Sequence, residues 1–111
     1  MADNISFEDF QKLDIRIAKV LACEVVENTD KLYKLTLDAG DLGERAVVSG
    51  IRQWYTPEDL IGKKFVYLSN LEPKVIRGVE SQGMILAAED DKGNCVLLMP
   101  KKAIDSGTKI H

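Results

Sequence analysis

At 111 residues the chain has the length of one domain with one core, burying roughly 65% of the surface its extended form would expose. An apolar share of 45% suffices for that core, 30% charged residues give an ordinary soluble surface, and no apolar run approaches the roughly 20 residues of a membrane-spanning helix. The net charge of −3 speaks against a general nucleic-acid scavenger, which carries a basic excess, although the cations are placed so that they could gather on one face.

In SFEDFQKL, Ser6 stands as an N-cap with Asp9 three residues on, which predicts a helix of about two turns. Leu13, Ile15 and Ile17 then alternate with Asp14 and Arg16, a half-buried strand. The alternation changes phase near residues 18–21, so a long first strand with a bulge or sharp coil there is expected. Tyr33, Leu35 and Leu37 alternate with Lys34, Thr36 and Asp38, a second strand whose polar positions face outward. AGDLGE is a Gly-rich turn, and RAVVSGI is a third, more apolar strand. YTPEDLIG predicts a short helix, with Thr56 as N-cap, Pro57 at the first helical position, Glu58 and Asp59 in the first turn and Gly62 at the end.

KKFVYLSN is a fourth strand. NLEPKVIRGVESQGM, residues 70–84, has neither helical spacing nor strict alternation and reads as an irregular polar ribbon. GMILAAED is a fifth strand, DDKGN a turn, and CVLLM a further short strand stopped by Pro100. The tail KKAIDSGTKIH is turn-like. Without repeat or linker, residues 1–111 are taken as a single domain.

This order predicts an all-β fold: a closed five-stranded OB-fold barrel with a short helix between strands 3 and 4, a short N-terminal helix and a C-terminal extension. An SH3-like barrel is the alternative, but it does not normally carry the mid-chain helix. OB barrels bind oligonucleotides and oligosaccharides on the face of strands 2 and 3 and the bordering loops. Lys34 and Thr36 are expected on that face.

Cys23 and Cys95 lie far apart in apolar runs and are expected as reduced, buried thiols. The single His is the terminal residue, His111. Two unclustered Cys and a fraying His offer no zinc site and no nucleophile–base pair, so no metal, cofactor or catalysis is expected. The acidic N-terminus lacks the apolar core of a signal peptide, which points to the cytoplasm.

FQKLDIRIAKVLACEVVENTDKLYKLTLDAGD, VVSGI and SNLEPKVIRGVESQGMILAA, with the Pro-containing C-terminal segment, together resemble the tRNA-binding domain family. That module occurs at the C-terminus of many methionyl-tRNA synthetases, as free-standing bacterial proteins, in a secretion-chaperone-like protein and in the endothelial-monocyte-activating polypeptide group. The resemblance runs from about residue 6 to 109 and is most specific in NLEPKVIRGVESQGM. Several relatives carry His-Pro ahead of the Asp where Glu27-Asn28 stand here. The resemblance implies an OB fold, homodimerisation and recognition of tRNA by shape. It implies no aminoacylation chemistry in the domain itself, and a methionyl-tRNA synthetase catalytic chain as a possible partner.

Candidate tRNA-binding residues follow. Lys74 and Arg77 are phosphate partners, Ser81 and Gln82 hydrogen-bonding groups, Asn70 stands at the start of the ribbon and Met84 at its rim, while Lys31 and Lys34 flank the ligand face. The ribbon's irregularity is expected because a ligand, rather than a neighbouring strand, satisfies its polar groups. The N-terminal helix and the C-terminal strand and tail are the candidate dimer interface. A chaperone-like protein that binds unfolded polypeptide on the same fold is the second functional reading.

Overall fold

The computed structural model describes residues 2–111. In chain order it contains α1 (Phe7–Gln11), β1 (Ile15–Val25), β2 (Tyr33–Asp38), a 3-10 turn (Gly40–Leu42), β3 (Glu44–Ser49), α2 (Pro57–Leu60), β4 (Lys64–Leu68), β5 (Lys74–Ile76), β6 (Val79–Ser81), β7 (Met84–Ile85), β8 (Ala87–Glu89), β9 (Cys95–Leu97) and β10 (Lys109–Ile110). The main sheet runs β3-β2-β1-β4-β7, all antiparallel, and curls until β3 and β7 approach each other. The result is a nearly closed five-stranded antiparallel barrel of the OB type, with α2 between the third and fourth strands.

β1 serves both halves of the barrel. Its first part, Ile15–Lys19, pairs with β4, and its second, Lys19–Val25, pairs with β2. The register shifts between Val20 and Ala22, leaving Val20 fully buried and Leu21 turned outward. This is the bulge that the phase slip predicted, and it lets one strand bend around the barrel. Val20, Leu35, Leu37, Val47, Phe65 and Tyr67 fill the interior. Leu60, the one buried residue of α2, joins that core from the helix. The helix starts at a complete capping box: Thr56 Oγ1 accepts from the Asp59 N–H at 3.4 Å, and Asp59 Oδ2 accepts from the Thr56 N–H at 2.9 Å.

Three expected elements differ. α1 has five residues rather than two turns: Ser6 caps the Asp9 N–H, but the Asp9 carboxylate turns forward to Lys12 at 3.1 Å instead of back to the cap. The fifth strand breaks at Leu86. There the Leu86 N–H donates to the Val66 carbonyl, the Leu98 N–H to the Leu86 carbonyl and the Val66 N–H to the Leu98 carbonyl, a three-way junction that hands the chain from β4 to the β8–β9 hairpin. The tail is not merely turn-like. β10 pairs Ile110 with Ile15, and the Gly107 N–H donates to the Ile17 carbonyl at 2.7 Å, so the C-terminus edges β1. Arg16 locks this corner through Asp14 at 2.7 Å, Asp41 at 3.0 Å and the Gly107 carbonyl at 3.2 Å.

Both cysteines are free thiols, Cys95 buried and Cys23 half-buried. Burial, with smaller contributions from Glu58 and Glu24, pushes the Cys23 thiol up to about 11. Iodoacetamide at pH 8 should therefore alkylate Cys23 far more slowly in the native chain than in urea, because the thiolate is the nucleophile. The native fold holds a proton that the unfolded chain releases first, so stability should fall as pH rises from about 9 to 11.

Candidate nucleic-acid interface

Strand register builds the outer face. One row across the sheet is Glu24, Lys34 and Val48, and the next is Ala22, Thr36 and Ala46. Tyr33, Leu35 and Leu37 point into the core, which leaves Lys34 and Thr36 on this face as the alternation required.

The 70–84 segment folds over these rows, and here the expectation of an irregular ribbon needs correction. It contains a regular hairpin, β5–β6, pairing Lys74 with Ser81, Val75 with Glu80 and Ile76 with Val79. Arg77 (φ 51°) and Gly78 (φ 79°) make its two-residue turn. Positive φ at both central positions is the requirement of a type I′ hairpin, which suits Asn-Gly far better than Arg-Gly.

A second correction concerns the polar groups of the segment. For Ser81 and Gln82 a neighbouring strand, β3, supplies partners within the chain. The Gln82 N–H donates to the Ala46 carbonyl at 2.8 Å, and Gln82 Oε1 accepts from the Ala46 N–H at 3.1 Å. Ser81 is buried, and its Oγ accepts from the Val48 N–H at 3.0 Å. Side chains thus seal the seam beside β3 where the barrel has no complete ladder. Buried Tyr67 donates its hydroxyl to the Gln82 carbonyl, tying the hairpin's root to the core. Asn70 is also engaged within the chain. Its Nδ2 donates to the Lys12 carbonyl at 2.6 Å, and its Oδ1 accepts from the Asp14 N–H at 2.8 Å.

The remaining candidates sort by flank. On the β2 side, a shallow groove of about 440 Å³ is lined by Lys34, Ala46, Gly78, Val79, Glu80 and Gln82. A second, of about 430 Å³, brings Lys34 together with Arg77, Glu24, Glu27 and Asn28. They adjoin at Lys34 and Val79, and together make an open channel along the β6 side of the hairpin. On the opposite flank, Lys74, Ser81 and Met84 line a more apolar groove with Leu71, Ile76 and Val48. Met84 is 46% exposed there, on the rim. Lys31 is exposed on the β1–β2 loop and lines neither groove. Its carbonyl accepts from the Arg52 N–H at 3.2 Å, and the Arg52 guanidinium holds the Thr29 carbonyl at 3.0 Å, which fixes the loop.

The ion pairs among the described residues are Asp9–Lys12, Asp14–Arg16 and Arg16–Asp41. Lys34, Lys74 and Arg77 join none of them, so their charge is available to a ligand. Sequence reasoning did not find Glu24, Glu27 and Glu80 in the channel. For Glu24 a signal existed, because it shares the face of Lys34 once β1 and β2 are paired. Trp54 and Tyr55 tie the β8–β9 hairpin to the barrel: Trp54 Nε1 donates to the Gly93 carbonyl at 2.9 Å, and the Tyr55 hydroxyl accepts from the Leu97 N–H at 3.0 Å. Among the described residues no group of His, Cys, Asp and Glu could hold a metal ion, and no helix is long and apolar enough to cross a membrane.

Known proteins place this geometry. The chain is 58% identical over 107 residues to a methionine–tRNA ligase of Deinococcus radiodurans, an alignment covering 96% of the chain and 16% of the ligase. The chain thus spans about one sixth of that relative's length. It superposes with a TM-score of 0.92 on a MetRS-related protein of Pyrococcus horikoshii, at 35% identity, covering 99% of this chain and 100% of that one. It superposes with a TM-score of 0.88 on the chaperone CsaA of Bacillus anthracis, at 36% identity, covering 98% and 100%. Residues 15–109 match the family model described as "Putative tRNA binding domain". With nearly the whole barrel inside that match, the chain belongs to the tRNA-binding domain family.

Proposed function

We propose that this domain binds tRNA by shape, without catalysis of its own, in the cytoplasm. It acts as the C-terminal domain or separate subunit of a methionyl-tRNA synthetase, or as a free-standing equivalent, and raises tRNA affinity. The observation that carries this reading is the groove beside the β5–β6 hairpin, where unpaired Lys34 of β2 and Arg77 of the hairpin tip line one continuous surface with the end of β1 and the β1–β2 loop. Lys74 adds a third cation on the other flank, with Lys31 on the neighbouring loop. Ser81, Gln82 and Asn70 enter as the residues that fix this geometry, with Met84 at the rim.

A homodimer fits the same reading. In and beside α1, Phe7 is 70% exposed, Ile5 68% and Leu13 39%, and a groove between α1 and β10 is lined by Phe7, Phe10, Leu13 and Ile110. Apolar surface of this kind marks association sites. If three cations neutralise phosphates, the slope of log K against log salt is about −2 to −3, a weak contribution at physiological salt. Two copies on one tRNA add roughly 10²-fold through effective concentration.

The likeness to the chaperone CsaA and the apolar flank beside Leu71, Ile76 and Met84 favour a second reading, binding of unfolded polypeptide. Salt separates the two. In a gel shift against total tRNA, affinity should fall about 20- to 60-fold between 50 and 200 mM salt for each subunit engaged, whereas apolar peptide binding should hold. Phe7→Glu, which should leave a monomer by sedimentation, should lose about 10²-fold of the tRNA affinity. Failure to shift tRNA at low salt, with a denatured polypeptide bound instead, would overturn the tRNA reading.

A further inference from the structure

Arg52 is a half-buried cation that the channel leaves without a task. It joins no ion pair among the described residues and lines neither part of the channel. Its guanidinium donates instead to the Thr29 carbonyl at 3.0 Å, and its backbone N–H donates to the Lys31 carbonyl at 3.2 Å. Both acceptors belong to the loop between β1 and β2. Inside that loop the bonding continues: the Thr29 hydroxyl donates to the Val26 carbonyl at 2.6 Å, and the Val26 N–H to the Leu32 carbonyl at 3.2 Å. The first half of the loop, Val26 to Asn28, lines the channel together with Arg77, and the second half carries Lys31.

Little apolar burial holds the loop tip, because Glu27, Asn28, Asp30 and Lys31 are all exposed. A loop of that kind is mobile unless its backbone is bonded elsewhere. The platform behind Arg52 is itself fixed. Ile51 is buried, and its carbonyl accepts from the N–H groups of both Trp54 and Tyr55. Tyr33, where the loop enters β2, donates its hydroxyl to the Tyr55 carbonyl at 2.8 Å, so the loop's exit is tied to the same turn. We infer that Arg52 is a positioning residue, which holds the β1–β2 loop from behind so that Lys31 meets tRNA already ordered. An unanchored loop would have to be ordered at the moment of binding, and that cost would come out of the affinity. The planar guanidinium suits the task, since it loses less freedom per bond formed than a lysine side chain does.

This inference rests on the tRNA-binding reading, and a double-mutant cycle separates the two. Parent, Arg52→Met, Lys31→Ala and the double variant would be titrated with total tRNA at several salt concentrations, well below the lowest of their thermal midpoints. Lys31→Ala should lose about tenfold at low salt, and Arg52→Met about three- to tenfold. If Arg52 acts through the loop, the double variant should stay close to the tenfold loss of Lys31→Ala alone, with a salt slope flattened by about 1. Amide exchange over residues 29–32 should quicken in Arg52→Met while β1 and β2 keep their protection. Independent losses, about 30- to 100-fold in the double variant with a slope flattened by about 2, would make Arg52 a phosphate contact in its own right and overturn the inference. Unchanged affinity in Arg52→Met or in Lys31→Ala, or unchanged exchange in the loop, would overturn it too, and in each of these cases the tRNA reading stands. A parent that binds no tRNA removes both.

Discussion

Replacing Arg77 with Asn should stabilise the protein and weaken its grip on tRNA. Arg77 sits at φ 51° in the first position of a two-residue hairpin turn, followed by Gly78 at φ 79°. A left-handed backbone costs a residue with a full side chain about 1–2 kcal/mol, and Asn-Gly is the pair that tolerates this turn best. Relief of about 1 kcal/mol should raise the thermal midpoint by roughly 4 °C in a domain of this size.

The same change removes a guanidinium from the Lys34 channel. Loss of one phosphate contact should lower tRNA affinity about tenfold at low salt and flatten the salt slope by nearly 1. With Lys34→Ala added, the loss should approach 10²-fold and the slope should fall by about 2. Differential scanning calorimetry and gel shifts on the same preparations give both signs. A strained cation that folding would rather replace is the mark of a position held for its ligand. An Arg77→Asn protein that is more stable and binds tRNA as tightly as its parent would remove the hairpin tip from the interface.

What could be read from residues alone follows from how each element meets its neighbours. The second strand was legible because Tyr33, Leu35 and Leu37 face a core and Lys34 and Thr36 face water, which imposes a period of two. The bulge near Val20 was legible for the same reason, since a one-residue insertion flips that period. α2 was legible because its capping chemistry is local, closed within Thr56 to Asp59.

The hairpin at 74–81 was not, because its exposed face carries Val75, 68% exposed, where a half-buried strand would carry a polar residue. Neither were the roles of Asn70, Ser81 and Gln82. Their partners lie 33 to 58 residues away in sequence, on β3 and before β1. A polar motif in a binding segment reads the same whether its hydrogen bonds go to a ligand or to a distant strand. Only the fold shows that Ser81 and Gln82 bond to β3 and Asn70 to the residues before β1, while Lys34, Lys74 and Arg77 join no ion pair among the described residues and Met84 stays on the rim.

The hairpin can present those groups only if its root stays seated, and that seat depends on Gly83. A Cβ at this position would lie 2.2 Å from the Leu68 carbonyl oxygen and 2.9 Å from Tyr67 Cε1, at a φ of +89°. The oxygen belongs to β4 backbone in the barrel wall, so it cannot swing aside as a side-chain tip could. Gly83→Ala should cost about 1–3 kcal/mol for overpacking and about 1–3 kcal/mol for the backbone conformation. Together these should lower the thermal midpoint by roughly 10–25 °C.

The damage should start locally. Amides of β6 and the Gln82 N–H should lose protection from hydrogen exchange before those of β1 and β2, whose pairing does not pass through the seam. Binding should fall with it, because Arg77 and Lys34 share a channel only while Gln82 holds the hairpin to Ala46. A Gly83→Ala protein with parental midpoint and parental exchange at Gln82 would mean that the ribbon tolerates a different path over β4, and that its close approach to Leu68 does not set the geometry of the cations.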